Sequence, residues 1–122
     1  MPKRILIVDD EPDLIEMVQI NLEIEGYECI VAYDGFRALD RARKEQPDLI
    51  ILDVMLPGLN GYKVCRLLKF DENYKRIPII MLTAEAQQAD RLMGEATGAN
   101  YYMTKPFDAD KLLAKVKELL GE

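Results

Sequence analysis

Apolar residues follow two rhythms that alternate along the chain. Short runs such as Arg4–Val8 and Leu49–Leu52 show no polar alternation, as expected of strands buried on both faces of a parallel sheet. Between them, apolar positions recur at helical spacing. Leu14, Ile15, Val18 and Leu22 follow Pro12, which suits a first helical position, and Gly26 stops the pattern. Asp34 can cap a helix carrying Ala38, Leu39 and Ala42 that ends before Pro47.

The same alternation predicts further strands at Glu28–Ala32, Ile79–Leu82 and Asn100–Met103. It predicts helices over Tyr62–Lys69, with Val64, Cys65 and Leu68 on one face, and over Ala86–Ala96, closed by Gly98. Asp108 caps a last helix with Leu112, Leu113, Val116 and Leu119 inward. Phe70–Arg76, rich in charge, reads as a solvated loop. Five strands alternating with five helices predict an α/β fold, a doubly wound parallel sheet covered on both sides, in a single domain over 1–122. Strand order does not follow from this pattern.

Composition narrows the function. A formal net charge of −6 argues against direct nucleic-acid binding by this domain and against an anionic membrane surface. No apolar run approaches the roughly 20 residues that span a bilayer, and no basic stretch opens the chain, so a cytoplasmic location is expected. The chain has no histidine, so its chemistry must use carboxylates, hydroxyls, Lys or thiols. Cys29 and Cys65 lack metal or redox spacing and are expected to be buried free thiols.

In open α/β sheets functional groups gather beyond the carboxyl ends of the strands. Here those positions hold Asp9, Asp10 and Glu11 after the first strand and Asp53 at the end of the third. Thr83 and Ala84 follow the fourth strand, and Lys105 and Pro106 follow the fifth. If the first, third, fourth and fifth strands are neighbours, all converge on one cleft. Packed carboxylates repel, and a hard divalent cation such as Mg²⁺ resolves the conflict while accepting phosphate oxygens. Asp53 is then placed as a nucleophile able to form an acyl phosphate. Lys105 supplies a second cation for the charge of the transferring group, and Thr83 a hydroxyl.

Four segments carry a resemblance over essentially the whole chain: Leu6–Glu11, Leu52–Gly61, Met81–Ala84 and Lys105–Phe107. In this order and at these separations they resemble the response-regulator receiver domain of two-component signalling. The resemblance implies a flavodoxin-like sheet of order 2-1-3-4-5. It implies that Asp53 accepts phosphate from the phosphohistidine of a sensor histidine kinase or phosphotransfer protein. Asp9, Asp10, Asp53 and the backbone carbonyl of Met55 would hold Mg²⁺, with Mn²⁺ as an acceptable substitute. Lys105 would pair with the phosphoryl group, across a cis bond to Pro106. Thr83 and Tyr102 would act as the switch, moving the face made by the fourth helix, fifth strand and fifth helix. Met55 and Glu85 would tune phosphate lifetime. No separate substrate is implied, only self-phosphotransfer and autodephosphorylation.

Rival readings fit less well. A flavin carrier would need hydroxyls and amides, not three acids, after the first strand. An aspartyl-phosphate hydrolase would place its nucleophile there, in an Asp-x-Asp pair. A receiver-like adaptor that binds partners without phosphorylation is the alternative reading, although no acid, lysine or acceptor is missing. The transcription-factor subfamily carries Gly-Ala-Asp-Asp-Tyr where this chain has Gly98-Ala99-Asn100-Tyr101-Tyr102. That difference favours a stand-alone or adaptor regulator with an unidentified downstream partner.

Overall fold

Strand pairing in the computed structural model, which describes residues 2–84 and 98–122, yields five parallel strands. They are β1 (Arg4–Val8), β2 (Glu28–Ala32), β3 (Leu49–Asp53), β4 (Ile79–Ala84) and β5 (Tyr101–Lys105). Their order is β2-β1-β3-β4-β5. The described helices are α1 (Pro12–Ile24), α2 (Gly35–Glu45), α3 (Gly61–Lys69) and, last in the chain, α4 (Ala109–Leu120). The helix expected over Ala86–Ala96 lies outside the described residues.

Alternate side chains of the central strands feed two separate cores. Leu6, Val8, Ile50, Leu52, Ile79 and Met81 pack beneath α2 and α3. Ile5, Ile7, Leu49, Ile51, Ile80 and Leu82 pack beneath α1 and α4. This double burial is why these strands read as unbroken apolar runs. Removing that much apolar surface from water, at roughly 25 cal/mol per Å², is the main force holding the layers together.

Helix ends follow their capping residues. Asp34 accepts from the Arg37 amide, Asn60 from the Lys63 amide and Asp108 from the Asp110 amide. On α1, Ile15, Val18 and Leu22 are buried. Leu113 and Leu119, expected inward, pack against the core but are half-buried, as is Leu14, because they lie at the margins of their helices' contact faces.

The bounds of the fifth strand and the burial of one thiol differ from expectation. β5 begins at Tyr101 and runs to Lys105, because its pairing with β4 continues through polar Thr104 to Ala84↔Lys105. Asn100 lies outside the strand and instead joins its start to β4. Cys29 is half-buried, since β2 is an edge strand; Cys65 is buried, and both are free thiols. The charged segment after α3 is a mostly exposed loop, as expected, and it is tightly turned, with the amides of Tyr74 and Lys75 both bonded to the Asp71 carbonyl.

Candidate functional site

The strand order reverses at β1, which has β2 on one side and β3 on the other, and such a switch point opens a crevice at the strand ends. Val8 pairs with Leu52, so the acids that follow, Asp9 and Asp53, leave the sheet side by side. Asp53 pairs with Leu82, which puts Thr83 one step beyond it; Thr83 pairs with Thr104, one step before Lys105. Register alone therefore gathers residues from four strands.

Asp9, Asp53 and Thr83 are buried, whereas Asp10 is exposed. Oxygens of Asp9, Asp10 and Asp53 lie within 4.8 Å of one another. Lys105 Nζ stands 2.8 Å from Asp9 Oδ2, 3.3 Å from Asp53 Oδ1 and 3.5 Å from Glu11 Oε1. The Glu11 amide donates to Asp9 Oδ1 at 3.0 Å. The peptide bond between Lys105 and Pro106 is cis.

One ammonium does not balance this cluster. Burial, and then the Asp9 charge, push the Asp53 carboxyl up to about 6, while Lys105 and the Met55 amide pull it down. Burial opposes the charge on Lys105, but Asp9 and Asp53 outweigh it and hold its pKa above the ordinary lysine value. Hard oxygen donors in excess of the available positive charge fit a small divalent cation.

The chain after Asp53 is held closely. The Val54 amide bonds the Leu82 carbonyl at 3.0 Å, and the Gly61 amide bonds the Val54 carbonyl at 2.8 Å. A Cβ on Gly61 would lie 2.1 Å from the Asp53 carbonyl oxygen, and one on Gly35 would lie 1.7 Å from the Leu59 carbonyl oxygen. Both glycines are demanded by close backbone approach. Gly61 reads as structural from sequence, but Gly35 looks like an ordinary helix start and carries no signal of its contact with the loop.

Met55 is exposed beside the acids, and Glu85 lies outside the described residues. Tyr102 is half-buried; it packs against the core beneath α2 and α3 and also lines a groove of about 710 Å³ between β5 and α4. Tyr101, Phe107, Lys111 and Lys115 line the same groove.

Fold and site together define a signalling domain of the receiver class, and the chain belongs to the response-regulator receiver domain family, whose model matches residues 5–117. It is 48% identical over 117 residues to the DNA-binding dual master transcriptional regulator RpaA of Synechocystis, covering 96% of this chain and 48% of that protein. It is 48% identical over 120 residues to the alkaline phosphatase synthesis transcriptional regulatory protein PhoP of Bacillus subtilis, covering 98% of this chain and 49% of that one. The chain thus spans about half the length of these curated relatives. Among solved structures it resembles the receiver domain of sensor histidine kinase PA1611 from Pseudomonas aeruginosa PAO1, at a TM-score of 0.90 and 34% identity over 100% of both chains. That structure holds a magnesium ion coordinated in its active site cleft.

Receiver domains of response regulators are signalling domains that take phosphate from histidine kinases and regulate effectors. The family binds Mg²⁺ at an acidic pocket. No helix among the described residues is long and apolar enough to cross a membrane.

Proposed function

We propose that this chain is a phosphorylation-dependent switch in which Asp53 accepts a phosphoryl group from the phosphohistidine of a partner sensor kinase. The observation that carries this reading is the reach of Lys105 to both Asp9 and Asp53, from a strand two places across the sheet from β3.

An Asp53 carboxylate oxygen attacks phosphorus as the bond to the donor imidazole nitrogen breaks. The imidazole leaves and an acyl phosphate forms. Lys105 turns from the carboxylates to the new phosphoryl oxygens, and the Thr83 hydroxyl bonds another of them. Asp9, Asp10, Asp53 and the Met55 carbonyl are the groups that would hold Mg²⁺, which when bound offsets the charge of the phosphoryl oxygens. Tyr102 follows Thr83 inward and reshapes the face that includes β5 and α4. Met55, at the exposed mouth, and Glu85 set how readily water reaches the acyl phosphate. The domain turns over no separate substrate.

Relatives that are DNA-binding regulators of about twice this length support control of an effector. The net charge of −6 supports a partner other than nucleic acid for this domain itself.

The test is intact mass after incubation with acetyl phosphate, with Mg²⁺ or with chelator, on wild type and Asp53→Asn. A single phosphoryl adduct that needs both Asp53 and the metal is expected. No adduct from acetyl phosphate or from a phosphorylated kinase would overturn the reading in favour of an unphosphorylated adaptor.

A further inference from the structure

Two helices on opposite sides of the sheet expose the same pattern with opposite charge. On α1, Asp13, Glu16, Met17 and Ile20 are all exposed at positions i, i+3, i+4 and i+7, one face of the helix, while Ile15, Val18 and Leu22 are buried against the sheet. Ile24, also exposed, extends the apolar end of the stripe. On α3 and its C-cap, Lys63, Arg66, Leu67 and Phe70 are exposed at the same four spacings. Each stripe reads charge, charge, apolar, apolar.

The charges are segregated by helix. α1 holds three acids and no Lys or Arg; α3 holds three cations and no acid. Among the described residues, none of Asp13, Glu16, Lys63 and Arg66 has an ion-pair partner. Lys63 stands in the first turn of α3, where the helix dipole disfavours a cation, so end-of-helix electrostatics does not account for it. Single exposed apolar residues are ordinary; two matched stripes of opposite sign are not.

We infer that the α1 face of one copy docks on the α3 face of another. α1 packs on one side of the sheet and α3 on the other, so the two stripes face away from each other in one molecule. Each follows a strand of an all-parallel sheet, so the two helices run in the same direction. Sliding one copy sideways therefore sets α1 parallel to α3 of its neighbour. That is the orientation in which acids meet cations and Met17 and Ile20 meet Leu67 and Phe70. The contact is heterologous and does not close at two copies, so it gives short open chains. Its area is one helix face, below the roughly 1,000 Å² of a stable interface, so association is weak and falls with salt. The inference is independent of phosphorylation.

Sedimentation velocity on unphosphorylated protein at low ionic strength tests it. The weight-average mass is expected to climb past twice the monomer's as concentration rises, and to fall back in high salt. Asp13→Lys with Glu16→Lys, or Lys63→Glu with Arg66→Glu, should each give a monomer of unchanged circular dichroism. An equal mixture of the two double variants should associate again, as should the chain carrying all four substitutions. A wild type that stays monomeric up to millimolar concentration would overturn the inference. So would association that halts at a dimer, or charge-reversed variants whose mixture stays monomeric.

Discussion

Lys105 and Asp9 lie 96 residues apart in the chain, yet the lysine ammonium reaches to 2.8 Å from an oxygen of the buried Asp9. Asp9 is wholly buried, and the ammonium and the Glu11 amide both bond to its carboxylate. The pair ties β5, at the edge of the sheet, to the end of β1 beside its centre.

Replacing Lys105 with Met should therefore destabilise the metal-free protein. Breaking a buried pair by removing one partner costs about 3 kcal/mol. Mg²⁺ should restore more stability to this variant than it adds to wild type, because it meets a larger excess of negative charge. Denaturant unfolding with and without Mg²⁺ checks this; equal gains in the two proteins would refute it.

Asp53→Asn should abolish the phosphoryl adduct and stabilise the metal-free fold at neutral pH. A carboxyl raised from 3.8 to about 6 binds its proton more tightly folded than unfolded. The Asp53 contribution to wild-type stability is accordingly highest below the unfolded value and is lost as pH rises through that window, by roughly 3 kcal/mol at most. The advantage of Asn should be largest above pH about 6 and vanish toward pH about 4. Thermal melts across that range measure it, and a constant advantage would show that Asp53 does not titrate there.

Gly61→Ala forces a Cβ against the backbone oxygen of Asp53 itself. The loop must shift, at a cost of about 2–3 kcal/mol. Phosphoryl uptake from acetyl phosphate should slow even under conditions where the variant is fully folded. Wild-type uptake by the Gly61→Ala protein would mean that the loop backbone does not position the acceptor.

Asn100 is a register pin between β4 and β5. Its side-chain oxygen accepts from the Ile79 amide and from Lys69 Nζ, each at 3.0 Å, and its own amide donates to the Ile79 carbonyl at 2.9 Å. Lys69 also donates to the carbonyls of Lys75 and Ile77. Asn100→Leu leaves two donors without this acceptor and should cost about 2 kcal/mol. Asn100→Asp keeps the acceptor and adds a charge opposite Lys69, so it should unfold no more easily than wild type. Comparing the two by denaturant midpoint separates lost hydrogen bonding from a mere change of side chain.

Much of the architecture was legible because it rests on local periodicity. Burial on both faces left β1, β3 and β4 as uninterrupted apolar runs, and the caps Asp34 and Asp108 marked where helices begin. The extent of β5 was not legible, because Thr104 and Lys105 are polar and belong to the strand only through their pairing with β4. The half-exposure of Cys29 escaped for a related reason: edge position is a property of strand order, not of the run itself.

The sequence by itself determined which residues stand at strand ends and what chemistry they can perform. Three acids, a strand-final acceptor, a hydroxyl and a lysine are visible in a linear string. Only the tertiary structure decided that they meet, because separations of 44 residues between Asp9 and Asp53 and 96 between Asp9 and Lys105 are bridged by strand register. It also decided what the neighbours of each group are, and so that Asp53 holds its proton up to about pH 6 and that Gly35 must stay small. Periodicity is a property of neighbouring residues, whereas desolvation, charge coupling and backbone clearance arise between residues remote in the chain, and these the fold alone brings within reach.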